Sequence, residues 1–163
     1  MKTRILIILL AISINSVAQN SKKTIDETLQ TFSLLDYTSY FEVTNEMFKM
    51  LSESREASPE FKEYISNLHS LKLVQANGED RMQHGIQLHR AFLTQTNLSD
   101  YSRLMTKKEG NEQLSFYKKE GKNENEFLLV STDMIIYITG TLDLKSIGEF
   151  EQIMELAGSA FDL

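Results

Sequence analysis

The three histidines, His69, His84 and His89, are the first residues to examine for metal or acid–base chemistry. His84 and His89 are five positions apart, which places them roughly 140° apart around a helix. A zinc-binding helix instead carries its two histidines four positions apart, on one face. His69 lies at a predicted helix end, where the helix dipole favours a cation. We therefore predict structural or surface roles for all three and no metal site.

The other chemistry-bearing residues form no recognised catalytic pattern. The chain has no G-x-S-x-G nucleophile turn and no glycine-rich phosphate loop, and it has no cysteine, which excludes thiol catalysis and zinc–cysteine sites. The carboxylate pairs Asp26-Glu27 and Glu79-Asp80 are typical of helix starts and solvated loops. We predict no catalytic, cofactor-binding or metal-binding residue. The alternative is a hydrolase of unrecognised type whose residues converge only in the fold.

A set of lysines and tyrosines forms the candidate interaction surface. The pairs Lys107-Lys108 and Lys118-Lys119 flank one predicted hairpin. They are interpreted either as gatekeepers that prevent an edge strand from pairing with other chains, or as part of an edge that docks a protein partner. Core packing explains most aromatic residues, whereas an exposed tyrosine cluster on the sheet would suit recognition. The predicted interaction residues are Tyr101, Tyr117, Lys107, Lys118 and Lys119.

The N-terminus has the features of a cleavable export signal over residues 1–18. Lys2 and Arg4 precede an apolar run from Ile5 to Ile14, and Ser16-Val17-Ala18 supplies small residues for cleavage before Gln19. The run covers about 15 Å as a helix, roughly half the hydrocarbon thickness of a bilayer. No cysteine follows it for lipid attachment. We predict an exported protein, periplasmic or secreted, without a stable membrane anchor. The alternative is an N-terminal anchor that is not cleaved.

Charge and length limit what the remaining chain, residues 19–163, can be. Removing residues 1–18 takes away Lys2 and Arg4 and no acidic residue, which changes the formal net charge from −6 to −8. An acidic surface repels phosphate backbones and anionic headgroups, so nucleic acid is excluded as a partner. The length suits one hydrophobic core. We predict a single α+β domain.

Hydrophobic periodicity divides the chain into helices and strands. Gly85 weakens one predicted helix by about 1 kcal/mol relative to alanine. Phe127–Val130 and Met134–Ile138 are apolar at nearly every position, which places the last hairpin centrally in the sheet and the more polar strands toward an edge. The fold class is α+β: a mixed sheet with a C-terminal four-stranded antiparallel meander and helices packed against it. The predicted helices begin at Thr24, Thr44, Ser58 (ending near His69), Arg81 (ending at Thr96) and Asp143; the predicted strands are Tyr37–Val43, Leu71–Ala76, Tyr101–Lys107, Gln113–Lys119, Phe127–Ser131 and Met134–Thr139.

This order of motifs resembles the domain of unknown function family 4252, which comprises small exported proteins of Gram-negative bacteria. The similarity extends from about Phe32 to Met154 and is carried by core and turn residues. It implies a small envelope protein and, because members can be encoded near alternative sigma factors, a link to envelope signalling. It implies no catalytic residue and no ligand. We therefore predict a noncatalytic binding module whose partner is another envelope protein. The matching segments are Phe48-Lys49-Met50-Leu51, Leu71-Lys72-Leu73-Val74, the helix ending near Phe92, Phe127-Leu128-Leu129-Val130, Ile135-Ile136-Tyr137-Ile138-Thr139-Gly140 and Leu142-Asp143-Leu144.

Overall fold

A computed structural model describes residues 22–53 and 59–141 of the chain. The predicted export signal and the helix predicted from Asp143 lie outside these ranges. Within them, helices and strands follow the predicted order. The elements are α1 (Ile25–Phe32), β1 (Thr38–Val43), α2 (Asn45–Glu53), α3 (Pro59–Ser66), β2 (Leu68–Ala76), α4 (Arg81–Gln95), β3 (Ser102–Glu109), β4 (Glu112–Lys119), β5 (Asn125–Ser131) and β6 (Met134–Gly140).

Helix α1 begins at a capping box, in which Thr24 and Glu27 satisfy each other's backbone N–H groups. The Glu27 N–H donates to Thr24 Oγ1 at 3.2 Å, and the Thr24 N–H donates to Glu27 Oε2 at 2.8 Å. The helical spacing of Ile25, Leu29 and Phe32 then buries all three on one side. Local sequence alone therefore explains where this helix starts and which side faces the core.

The six strands form one sheet in the order β1-β2-β6-β5-β4-β3. The α+β class and the C-terminal antiparallel meander are confirmed. The apolar strands β5 and β6 lie centrally, and the polar strand β3 lies at an edge, as predicted. All five strand pairings are antiparallel, whereas the sequence analysis predicts a mixed sheet. The reason is that β2 enters the sheet between β1 and β6 in the direction opposite to both.

The boundary between α3 and β2 differs from its prediction. Helical periodicity predicts a helix ending near His69 and a strand from Leu71, but α3 ends at Ser66 and β2 begins at Leu68. Leu68 is buried and pairs with Gly140 of β6, with a register irregularity before Ser70. The pairing partner is 72 positions away in the chain. Tertiary pairing therefore extends the strand into a segment whose local pattern is helical.

Helices cover both faces of the sheet, which explains why β5 and β6 are apolar at successive positions. On one face, named here the α1/α4 face, helices α1 and α4 pack on alternate residues of the central strands. On the other, the α2/α3 face, Phe48 of α2 and Ile65 of α3 pack on the remaining strand residues. Fully buried aromatic side chains occur on both faces: Phe92 on the first, and Phe116 and Phe127 on the second.

Helix α4 docks closely on the turn between β5 and β6. Gly85 is buried there, and a Cβ atom at this position would lie 2.9 Å from both Asp133 Cα and Thr132 O. Arg81, one turn earlier, donates to Asp133 Oδ2 from Nε at 3.0 Å and from Nη2 at 2.6 Å. The glycine that weakens α4 by helix propensity is therefore the residue that lets α4 approach the sheet. No helix within the described ranges is both long and apolar enough to cross a membrane.

Candidate interaction surface

The structure divides the five predicted interaction residues between the two faces of the sheet. Strand side chains alternate between faces, so Lys118 of β4 lies on the α2/α3 face, while Tyr117 and Lys119 lie on the α1/α4 face. Tyr101, immediately before β3, packs with Tyr117 against the α1/α4 core cluster. Lys107 pairs with Leu114 of the α2/α3 cluster and shares its face. The five residues therefore do not form one continuous surface.

Tyr101 and Lys119 meet in a polar group that also contains Glu126 and Tyr137, and we name these four residues the Glu126 cluster. Lys119 Nζ donates to Glu126 Oε1 at 2.7 Å. The hydroxyls of Tyr137, at 2.5 Å, and of Tyr101 both donate to Glu126 Oε2. Lys119 Nζ also lies 5.4 Å from the centroid of the Tyr101 ring, within the range of a cation–π contact.

Burial and hydrogen bonding act in opposite directions on Glu126. Burial raises the pKa of the carboxyl group, but the hydrogen bonds from Lys119, Tyr101 and Tyr137 outweigh it and hold the pKa below the ordinary value. Burial, and then hydrogen bonding to Glu126, raise the pKa of both phenols. The hydrogen bond to Glu126 raises the pKa of Lys119. The cluster is therefore a stable arrangement of one anion, one cation and two neutral phenols.

A second polar group continues this arrangement across the α1/α4 face. Lys72 of β2, the pairing partner of Tyr137, has its Nζ 2.7 Å from Asp26 Oδ1 and 3.6 Å from Glu42 Oε1. The hydroxyl of Tyr40 donates to Glu42 Oε2 at 2.7 Å. Burial opposes the charge on Lys72, but the hydrogen bond to Asp26 and the nearby carboxylates raise its pKa. The polar band therefore runs from β1 to β4 with charges of alternating sign.

The chemistry of the Glu126 cluster favours positioning over proton transfer. Both carboxylate oxygens of Glu126 already accept hydrogen bonds, and a carboxylate with a lowered pKa is a weak base. Phenols with raised pKa values are weak acids. What the cluster does instead is fasten Tyr101, and with it the start of β3, to the central strand β5. It therefore fixes the position of the edge strand.

The lysines outside the cluster have other neighbours. Lys118 Nζ lies 6.0 Å from the Phe127 ring centroid and 3.0 Å from Glu120 Oε1. Lys107 Nζ lies 3.1 Å from Glu109 Oε1, with both side chains more than 60 % exposed. Lys107-Lys108 and Lys118-Lys119 also stand at opposite ends of the β3–β4 hairpin, because Ser102 pairs with Lys118 and Lys107 with Leu114. They are two separate basic sites.

Strand β3 is the most exposed regular element of the sheet. Every residue except Met105 is exposed, and the apolar side chain of Leu104 is 48 % exposed. A register shift between Arg103 and Met105 leaves Leu104 as an extra residue in the strand, the arrangement of a β-bulge. No strand in the described part of the chain pairs with the outer side of β3. Among the described residues, β3 is therefore an unpaired edge of the sheet.

A groove of about 570 Å³ opens near the C-terminal end of β3, between the β3–β4 hairpin, the β5–β6 turn and the start of α4. Arg81, Lys107 and Asp133 line it, with Met82 and Leu114 as apolar contributors. Its charged groups are largely paired with each other, as Arg81 is with Asp133. The groove extends the surface of the edge strand, and its lining carries charges of both signs.

The three histidines are separate in the structure. His69 Nδ1 lies 2.9 Å from Glu124 Oε2, and the ring of His84 stacks on Tyr37 at 4.6 Å. His89 is partly buried, and burial lowers its pKa. Its Nε2 has no hydrogen-bond partner among the described residues. Within residues 22–53 and 59–141, no three histidine or acidic side chains are grouped as metal ligands.

Sequence reasoning missed Glu126 and Tyr137, which complete the polar cluster. Each had a weak signal: Glu126 stands directly before the apolar run of β5, and Tyr137 is the one residue with a hydroxyl within Ile135–Ile138. A hydroxyl at a buried position requires a partner. The missing information was the strand order, which brings Tyr101 and Glu126 together although 25 positions separate them.

Comparison with known protein families gives a match over most of the chain. A family model described as "Domain of unknown function (DUF4252)" matches residues 32–150, which is more than half of the chain. No curated protein and no solved structure matches the chain. The matched range includes all six strands and the Glu126 cluster.

Proposed function

The chain belongs to the DUF4252 family, and from this premise we propose that it is an exported, noncatalytic binding module of the bacterial envelope, acting in envelope signalling. The proposed partner is another envelope protein. The proposed contact site is the outer edge of β3, from Ser102 to Glu109. The predicted export signal of residues 1–18 supports the envelope location, and the exposed edge of the sheet supports binding through β3.

One observation carries this proposal: β3 is an exposed edge strand held in a defined position. Seven of its eight residues are exposed, and an extended segment can add to such an edge through main-chain hydrogen bonds. The Glu126 cluster fastens the chain at Tyr101, directly before the strand. Binding to an edge that is already ordered costs less conformational entropy than binding to a mobile loop.

The polar residues that a hydrolase would need have structural contacts here. Ser131 Oγ donates to Asp133 Oδ1 and accepts from the Met134 N–H, each at 3.0 Å, which closes the β5–β6 turn. His84 stacks on Tyr37, and its Nδ1 lies 3.3 Å from the carbonyl oxygen of Asn77. In the part of the chain described, no serine hydroxyl forms a hydrogen bond with a histidine ring. We therefore place the binding hypothesis before the hydrolase alternative.

Site-specific photocrosslinking in the native envelope tests the proposed surface. A photoreactive amino acid at Leu104 of β3 is expected to capture one defined protein, because this side chain is exposed beside the open edge. The matched control places the same group at Gln87, an exposed position of α4. Mass spectrometry of the crosslinked product identifies the partner and the segment in contact.

The expected result is a product specific to Leu104 and absent at Gln87. Equal capture at both positions, or no capture at Leu104 from cells that produce the folded protein, would contradict an interaction through β3. The fold of each variant is checked by circular dichroism, so that a missing product reflects the surface and not unfolding.

A further inference from the structure

The charges on β3 indicate which kind of segment fits this edge. Within the strand, Arg103, Lys107 and Lys108 outnumber the single acidic residue, Glu109, although the whole chain carries a formal net charge of −6. All four side chains are exposed. The edge strand is therefore locally basic in a protein that is acidic overall.

Two of these cations have no partner within the described ranges. Arg103 and Lys108 form neither an ion pair nor a side-chain hydrogen bond there, and both point to the α1/α4 side of the strand, as their pairing with Tyr117 and Gln113 indicates. Lys107 forms an ion pair with Glu109 in which both side chains are exposed, and such a pair contributes at most about 1 kcal/mol. All three cations are therefore available to an added strand.

A second copy of this chain is a poor occupant of the edge. Pairing of two β3 edges would place Arg103, Lys107 and Lys108 of one copy beside the same three cations of the other. Like charges directly opposite each other destabilise a strand pair, and an edge lysine is a common means of preventing such pairing. The gatekeeper interpretation of these lysines is therefore consistent with a specific acidic partner.

We infer that the edge of β3 binds an extended acidic segment of a protein partner, which adds to the sheet as a seventh strand. Acidic side chains of this segment lie beside Arg103 and Lys107 or Lys108, and an apolar side chain covers Leu104. This inference rests on the proposed function, because it assigns the chemical class of the partner at the same surface. Backbone pairing supplies affinity, and charge supplies selectivity.

Binding of a defined peptide to the purified protein tests this inference. The probe is a fluorescently labelled peptide that alternates glutamate with threonine or valine and carries one isoleucine; the comparison peptide has lysine in place of glutamate. Fluorescence anisotropy is expected to show binding of the acidic peptide and at least tenfold weaker binding of the basic one. Equal binding of the two peptides, or no binding of the acidic one, overturns the inference.

Charge reversal on the protein locates the binding to β3. Arg103→Glu combined with Lys108→Glu is expected to weaken the acidic peptide about tenfold, since two attractions become repulsions. The control, Lys49→Glu combined with Arg90→Glu, makes the same change of net charge at exposed positions of α2 and α4. If both variants bind equally, the charges of β3 do not select the partner. If the glutamate variant does not fold, Arg103→Gln combined with Lys108→Gln answers the same question.

Backbone methylation separates strand addition from plain charge attraction. In a strand, alternate N–H groups point to the same side. Two peptides with the same side chains are therefore prepared, each N-methylated on one of the two alternate sets of amides. The peptide whose methyl groups face β3 is expected to lose binding, and the peptide whose methyl groups face away is expected to retain it. Retention by both contradicts strand addition.

Different results would contradict the proposed contact site on β3 and the proposed acidic class of the partner. If photocrosslinking at Leu104 captures a partner but the acidic peptide does not bind, the acidic class is wrong and the interaction surface stands. If crosslinking joins Leu104 to a second copy of the chain, the partner class is likewise wrong. If Leu104 captures nothing, the proposed function fails at its first step.

Discussion

At the scale of single residues, Glu126 is the most consequential polar side chain in the described fold. It accepts hydrogen bonds from residues before β3, in β4 and in β6, so three segments depend on one carboxylate. A charged acceptor strengthens each of these bonds relative to a neutral one. The two tyrosines would otherwise bury hydroxyl groups without partners, which costs free energy.

We expect Glu126→Gln to lower the free energy of unfolding at pH 7 by about 1–3 kcal/mol, because the three donors lose a charged acceptor. Urea unfolding measures the change. The matched control is Glu120→Gln, which removes the charge from an ion pair with Lys118 at a side chain that is 77 % exposed. Its effect is expected within about 0.5 kcal/mol. Equal losses in both variants would contradict a role for the cluster in stability.

The same variant predicts a pH dependence with a defined sign. The folded-state pKa of Glu126 lies below its ordinary value, so the charged carboxylate stabilises the fold fully above the unfolded pKa, about 4.3. This contribution is lost as the pH falls through the lower folded pKa. The difference in stability between wild type and Glu126→Gln is therefore expected to be greatest near pH 7 and to shrink below about pH 4. A difference that grows on acidification would contradict this sign.

At the scale of elements, the packing of α4 on the β5–β6 turn determines how Gly85 affects the stability of the fold. Helix propensity alone predicts that Gly85→Ala stabilises α4 by about 1 kcal/mol. In the fold, the added methyl group would lie 2.9 Å from backbone atoms of Thr132 and Asp133, and backbone atoms cannot rotate away as a flexible side chain can. The steric term therefore opposes the propensity term.

We expect the steric term to prevail, so that Gly85→Ala lowers the free energy of unfolding by about 1–3 kcal/mol. Gln87→Ala, at an exposed position of the same helix, provides the control and is expected to be neutral or slightly stabilising. Chemical denaturation of the two variants distinguishes the two terms. Stabilisation by Gly85→Ala would mean that α4 does not approach the turn as closely as described.

At the scale of the whole molecule, the proposed envelope partner requires that the protein be exported. The mature protein is expected to begin at Gln19, because Ser16 and Ala18 are the small residues that signal cleavage requires. Intact mass and N-terminal sequencing of protein from the cell envelope test this directly. Ala18→Phe is expected to block cleavage, whereas the control Ser13→Ala leaves it unchanged. Recovery of uncleaved wild-type protein in the membrane would favour an anchor instead.

Much of the fold could be predicted from local pattern. The capping box at Thr24 and Glu27 determines the start of α1, and hydrophobic periodicity identifies the strands of the meander. The apolar runs of β5 and β6 indicate their central place, since strands covered on both faces need no alternation. These features depend on neighbours within a few positions. A single sequence therefore contains enough information to identify them.

Only the tertiary structure decided which distant residues meet. The register of β4, β5 and β6 brings Lys119 and Tyr137 to Glu126, and alternation across the sheet sends Lys118 to the opposite face although it is adjacent in sequence to Lys119. Pairing with β6 extends β2 back to Leu68 against a helical local pattern. The physical reason is common to all three: strand order and register place residues together over long separations, and a local pattern does not specify them.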